Sequence, residues 1–132
     1  MNEVLDIKTT KEKFFLEYLT LKKPLIEFIV SSMLGKHTKV PDKLLNVLAL
    51  LLYYNDQYKE LTEEERWKTI FHKDKRKEYI ENLNITDSQL NTYFSMLRNY
   101  KILNGKSINK LFIIHPDNKY ELTFKFSLNG EK

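Results

Sequence analysis

The stretch from Asp42 to Asn55, DKLLNVLALLLYYN, puts Leu, Val, Ala and Tyr on almost every side of a helix. A helix that is apolar nearly all round is stable in water only when neighbours cover it on several sides, so this segment predicts a central pillar for the rest of the chain to pack against. The apolar run from Leu44 to Tyr54 is interrupted by Asn46 and falls well short of the roughly twenty residues that span a bilayer. A chain of 132 residues has room for one such core and is short for two. A single domain over 1–132 is therefore expected, with 1–41 as an N-terminal helical extension.

The segments before the pillar read as two amphipathic helices. Phe14, Phe15, Tyr18 and Leu19 share a stripe over 11–21. Pro24 then opens a second helix over 24–34, where its missing N–H costs nothing, and Gly35 closes it. The expected buried face of that second helix is Leu25, Ile26, Ile29, Val30 and Met33, and Asp42 is the expected cap of the pillar. Beyond the pillar, Thr62 with Glu65 makes a capping-box pattern, and Glu63, Glu64 and Glu65 suit the positive end of a helix dipole. Trp67, Ile70 and Phe71 face the core from that helix, whereas the basic run HKDKRK leaves its conformation open.

The most informative stretch is KRKEYIENLNITDSQLNTYFSMLRNYKILNGK. Tyr79, Ile80 and Leu83 mark a short helix, Asn84 falls where a tight turn needs a residue tolerant of the left-handed conformation, and Ile85 plugs the core. Thr86 and Gln89 form a capping box for a second helix whose inner face is Leu90, Phe94 and Leu97. Ile102 and Leu103 end it, with Asn104-Gly105 as the stop. The segment 111–128, LFIIHPDNKYELTFKFSL, then reads as a β-hairpin: it turns at His115-Pro116-Asp117-Asn118 and alternates Leu122, Phe124, Phe126 and Leu128 with polar residues. The fold class expected is mainly α with a C-terminal β-hairpin, an α+β arrangement.

A short helix, a tight turn, a longer helix and a hairpin in this order resemble the winged-helix domain, over roughly 42–128. The resemblance implies a helix-turn-helix with a wing, preceded here by two extra helices, and a DNA-binding function in which the second helix enters the major groove. It also implies that helices outside the core unit can supply a homodimer or a protein partner, as winged-helix DNA binders are often dimers. Winged helices also serve as protein-interaction or structural modules, for instance within a virion, and that is the rival expectation.

With Leu90, Phe94 and Leu97 inward, Ser88, Gln89, Asn91, Thr92 and Ser95 point outward. Gln and Asn can grip adenine bidentately and hydroxyls serve phosphate or base, so an uncharged polar face of this kind suits a groove. Arg98, Lys101, Lys106 and Lys110 come after this face, and Lys73, Lys75, Arg76 and Lys77 precede the partner helix. They are candidate phosphate clamps, with Asp74, Asp87 and Asp117 diluting their field. Residues 1–72 carry eleven Lys or Arg and eleven acids, while 73–132 carry eleven against seven, so the whole net charge of +4 lies in the second part. That asymmetry fits a double-stranded DNA partner, although a bland Lys-rich surface gives the same count.

Other chemistries find little support. There is no cysteine, and His37, His72 and His115 are scattered, so no metal site is expected. Three glycines supply no phosphate-binding loop, no nucleophile elbow appears, and neither an enzyme activity nor a cofactor is expected. Of Tyr53, Tyr54, Trp67, Tyr79, Tyr93 and Tyr100, most fall on stripes shared with Leu or Ile, and they read as core rather than as base-stacking platforms. The opening residues do not read as a secretory signal, which points to the cytoplasm or to a virion assembled there. Abundant Lys and Asn suggest an AT-rich genome such as those of many bacteria and phages. In that setting the expected roles are a small transcriptional regulator or a replication or packaging factor.

Overall fold

A computed structural model of the chain describes residues 10–105 and 107–113, and in it the apolar run folds as α2 (Asp42–Gln57). Leu44, Leu45, Val47, Leu48, Leu51, Leu52 and Tyr54 are all buried, while Asn46, Leu50 and Tyr53 on the remaining side of the helix are half-buried. The cover comes from α1 (Lys11–Leu34), α3 (Glu63–Ile70), α4 (Arg76–Leu83) and α5 (Asp87–Asn99), each of which packs on α2. Pro41 occupies the cap position of α2, and Asp42, expected there, is its first residue. The Asp42 carboxylate instead accepts a hydrogen bond from Lys23 Nζ at 2.7 Å.

α1 is one continuous helix where the sequence predicts two. Phe15, Leu19, Lys22, Ile26 and Val30 recur every three or four residues and are all buried, so a single stripe runs the length of the helix against α2. Pro24 lies exposed on the opposite side and forgoes the bond to the Thr20 carbonyl, a cost of about 3 kcal/mol in a helix interior. Burying Ile26 and Val30 beyond it returns roughly 1.5–3 kcal/mol each, which is enough to keep the helix unbroken. The same geometry turns Leu25 outward, contrary to its expected place in the core. Ile29 and Met33 are half-buried against the core, as are Phe14 and Tyr18.

Gly35 ends α1 in the left-handed conformation at φ 71°, and the connector is pinned back onto the helix. Thr38 N–H donates to Ser31 Oγ at 2.8 Å, and Val40 N–H donates to Glu27 Oε2 at 2.7 Å. Thr62 caps α3 by accepting from Glu65 N–H at 3.2 Å, as its position predicts. The basic run forms a 3-10 turn over Lys73–Lys75, started by His72 Nδ1 accepting from Asp74 N–H at 3.1 Å, and this turn leads directly into α4.

Asn84 closes α4 at φ 52° and ψ 52°, the left-handed turn expected of it. Both halves of the Thr86–Gln89 capping box are present at the start of α5. α5 stops at Asn99, short of the expected end, because Lys101 takes a left-handed conformation at φ 65° and Ile102 N–H folds back to the Leu97 carbonyl at 2.9 Å. Ile102 and Leu103 are buried beyond the helix end, outside α5 itself. β1 (Leu103–Asn104) pairs antiparallel with β2 (Ser107–Ile108), Leu103 opposite Ile108. Asn104-Gly105, read as a helix stop, thus belongs to a tight hairpin, where Gly105 at φ 65° supplies the positive φ that short hairpin loops need. Leu111 and Phe112 lie in a 3-10 turn (Lys110–Phe112) that Ile113 caps, none of them in a strand, and residues 114–128 of the expected hairpin lie outside the described residues. The described chain is therefore mainly helical, with a two-stranded antiparallel hairpin near its C-terminal end.

Candidate nucleic-acid interface

α5 is set into the protein by one face and open to solvent by the other. Leu90 and Leu97 are fully buried and Phe94 nearly so, with the Phe94 ring edge-on to Phe71 and Tyr79 at centroid distances of 5.4 and 5.6 Å. Such aromatic contacts fix the helix in rotation as well as depth. Ser88, Gln89, Asn91, Thr92, Ser95 and Arg98 are all exposed as a result, along a helix of 13 residues. Lys101 is exposed just past its end, and Lys110 is exposed in the 3-10 turn after the hairpin. Lys106 lies outside the described residues.

Several of these side chains are already engaged. Gln89 Oε1 accepts from Thr86 N–H at 2.9 Å, and Thr92 Oγ1 donates to the Ser88 carbonyl at 3.1 Å. Arg98 Nε donates to the Gly105 carbonyl at 3.3 Å, which ties the end of α5 to the hairpin. Arg76, at the start of α4, is half-buried and reaches across to α5. Its Nε donates to Asp87 Oδ1 at 2.8 Å, and its Nη2 donates to the Asp87 carbonyl at 3.2 Å and to Asn91 Oδ1 at 2.7 Å. Asp87, read from the sequence only as a charge diluting its neighbours, is the residue that docks Arg76.

Lys75 departs most from expectation. Its side chain is nearly buried, with Nζ 4.1 Å from the centre of the Tyr54 ring and 4.7 Å from that of Tyr58. The ammonium donates to the Tyr58 hydroxyl and pairs with Glu78 Oε2 at 2.7 Å. Burial pulls its pKa down, but the hydrogen bonds to Glu78 and Tyr58 and their charges together hold it above the ordinary lysine range. It faces this cage and not the α5 surface, while Lys73 and Lys77 on either side are exposed. The spacings Lys75–Glu78 and Tyr54–Tyr58 each mark helical neighbours in sequence, but only the packing of α4 on α2 brings the two pairs together. Burial raises the pKa of Tyr79 as well, whose hydroxyl donates to the Ile70 carbonyl at 3.1 Å.

A second surface feature lies on α1. Leu21, Leu25 and Phe28 are 63, 41 and 69 % exposed and succeed one another at helical spacing, opposite the buried stripe. Among the described residues, no helix is long and apolar enough to cross a membrane, and no three metal-ligating side chains converge. No protein-family model matches the chain, and neither a curated protein nor a solved structure was found to match it.

Proposed function

We propose that the protein is a non-enzymatic binder of double-stranded DNA that presents the exposed face of α5 to the major groove, in the manner of the winged-helix domains its sequence resembles. The observation that carries this reading is the character of that face: five uncharged polar side chains, Ser88, Gln89, Asn91, Thr92 and Ser95, on a helix locked by its opposite face. A helix of this width enters the major groove, which is about 12 Å across. Arg98 and Lys101 at its far end, with Lys110 beyond, suit phosphates flanking the groove.

Fluorescence anisotropy against random duplex DNA at low and moderate salt tests this. The expected result is binding that weakens steeply with salt. The Arg98→Ala, Lys101→Ala variant should lower the slope of log affinity on log salt by roughly two, one for each lost phosphate contact. An absence of binding at low salt overturns the reading.

The Leu21, Leu25 and Phe28 stripe favours a second reading alongside the first, a contact between two copies of this chain through α1. Glu17 stands one turn before the stripe, and Lys36 lies two residues past the end of α1. An antiparallel pairing of two α1 helices about a twofold axis therefore sets the acid of each copy near the lysine of the other while Leu25 meets Phe28. Two copies would also present two α5 faces, matching the paired half-sites on which helix-turn-helix dimers act.

A further inference from the structure

Two residues of the proposed groove face, Gln89 and Asn91, carry carboxamides, and a carboxamide reads a base according to which way its oxygen and nitrogen are turned. The groups facing Gln89 and Asn91 settle that orientation. Thr86 N–H and Arg76 Nη2 can only donate, so the atoms they meet, at 2.9 and 2.7 Å, are the amide oxygens Gln89 Oε1 and Asn91 Oδ1. Each oxygen is turned back into the protein, one toward the start of α5 and the other toward α4. The amino groups Gln89 Nε2 and Asn91 Nδ2 are left for a partner.

A bidentate grip on adenine needs the oxygen and nitrogen of one carboxamide side by side, the oxygen accepting from N6 and the nitrogen donating to N7. The committed oxygens work against that grip. Guanine offers N7 and O6, two adjacent acceptors in the major groove, which donors alone satisfy. Arg98 is biased the same way, since Nε is spent on the Gly105 carbonyl and a guanidinium has donors only. Thr92 complements them: its hydroxyl proton goes to the Ser88 carbonyl, which leaves its lone pairs for a donor such as the cytosine amino group that neighbours guanine O6. Resting on the DNA-binding reading above, we infer that the α5 face selects guanine over adenine, because Arg76 and the Thr86 N–H hold the amide oxygens of Asn91 and Gln89 away from the groove.

The experiment begins with the full chain retaining duplexes from a randomised pool, and the bound fraction is sequenced. Affinity for the preferred site is then measured with its guanines replaced by 7-deazaguanine, or its adenines by 7-deazaadenine, each of which removes only the N7 acceptor. A guanine-centred motif is expected, with a loss of about tenfold on 7-deazaguanine and under about threefold on 7-deazaadenine. Gln89→Glu and Asn91→Asp keep an oxygen for Thr86 N–H and Arg76 but remove the outward donor. Each should cut the guanine-over-adenine ratio by roughly tenfold, the ratio being taken within one variant so that the added charge cancels. An adenine-centred motif, or equal losses on the two analogues, overturns the inference and leaves the DNA-binding reading standing. Retention of no duplex at low salt overturns both.

Discussion

Lys75 carries a charge into a cage built from Tyr54, Tyr58 and Glu78, and its partner carboxylate responds. The hydrogen bond from Lys75 is the chief cause that holds the Glu78 carboxyl below its ordinary value of 4.5. A depressed carboxylate contributes stability that is present above its unfolded value and lost as pH falls through its folded one. The expected outcome is that Glu78→Gln melts at a lower temperature than the parent at neutral pH, with the gap closing as pH falls below about 4.5. A gap that stays constant on acidification would show that the pair contributes nothing through charge. Single residues also show what the sequence makes legible. Asn84 and the Thr86–Gln89 box are readable because a left-handed turn and a helix cap depend on neighbours within three or four positions. Lys75 and Asp87 are not, because the partners that define them come from elements brought near by tertiary packing, Tyr58 from 17 residues away and Arg76 from 11.

Among the elements, α1 shows a strong local rule overridden by a longer pattern. Pro24 marks a helix start in isolation, yet the stripe from Phe15 to Val30 keeps one register across it. Read as a single period over 15–30, the same residues predict one helix, and they also predict that Leu25 faces out. Because Pro24 is exposed and withholds a hydrogen bond from Thr20, Pro24→Ala is expected to stabilise the fold by about 1–3 kcal/mol, read as a rise of several degrees in the thermal midpoint. A fall in the midpoint would mean that packing relies on the proline ring. The hairpin is a displacement of the opposite kind. Asn104-Gly105 reads as a breaker, but a breaker pair can end a helix or turn a strand. The left-handed Lys101, which no composition rule favours, ends the helix first and frees the pair for the turn.

At the scale of the whole molecule, the exposed stripe of α1 and the face of α5 belong to different elements of the fold, so the proposed association and the proposed DNA binding are separable by substitution. Phe28→Asp places a charge at the centre of the proposed seam while sparing the buried stripe. Sedimentation velocity is expected to show a concentration-dependent dimer for the parent and a monomer for the variant, with helical content unchanged. A parent that stays monomeric at high micromolar concentration would remove the second copy as the occupant of that face. The central place of α2 is legible in the sequence, because a helix apolar on nearly all sides admits few other positions. How many elements share it is not, since each of the four covering helices contributes through contacts distant in sequence.

The way α1 lies along α2 also bears on how such a chain can change over generations. Residues 1–41 look like an addition to a smaller unit, and an addition can ordinarily be exchanged between genes as a cassette. Here α1 and its connector form one wall of the pillar's housing, with the Phe15 ring reaching Tyr53 and the connector clipped to Ser31 and Glu27. A gene that lost or swapped it would encode a pillar left uncovered on the α1 side. The two parts are therefore expected to be inherited together, with variation in the first helix confined to its outward side.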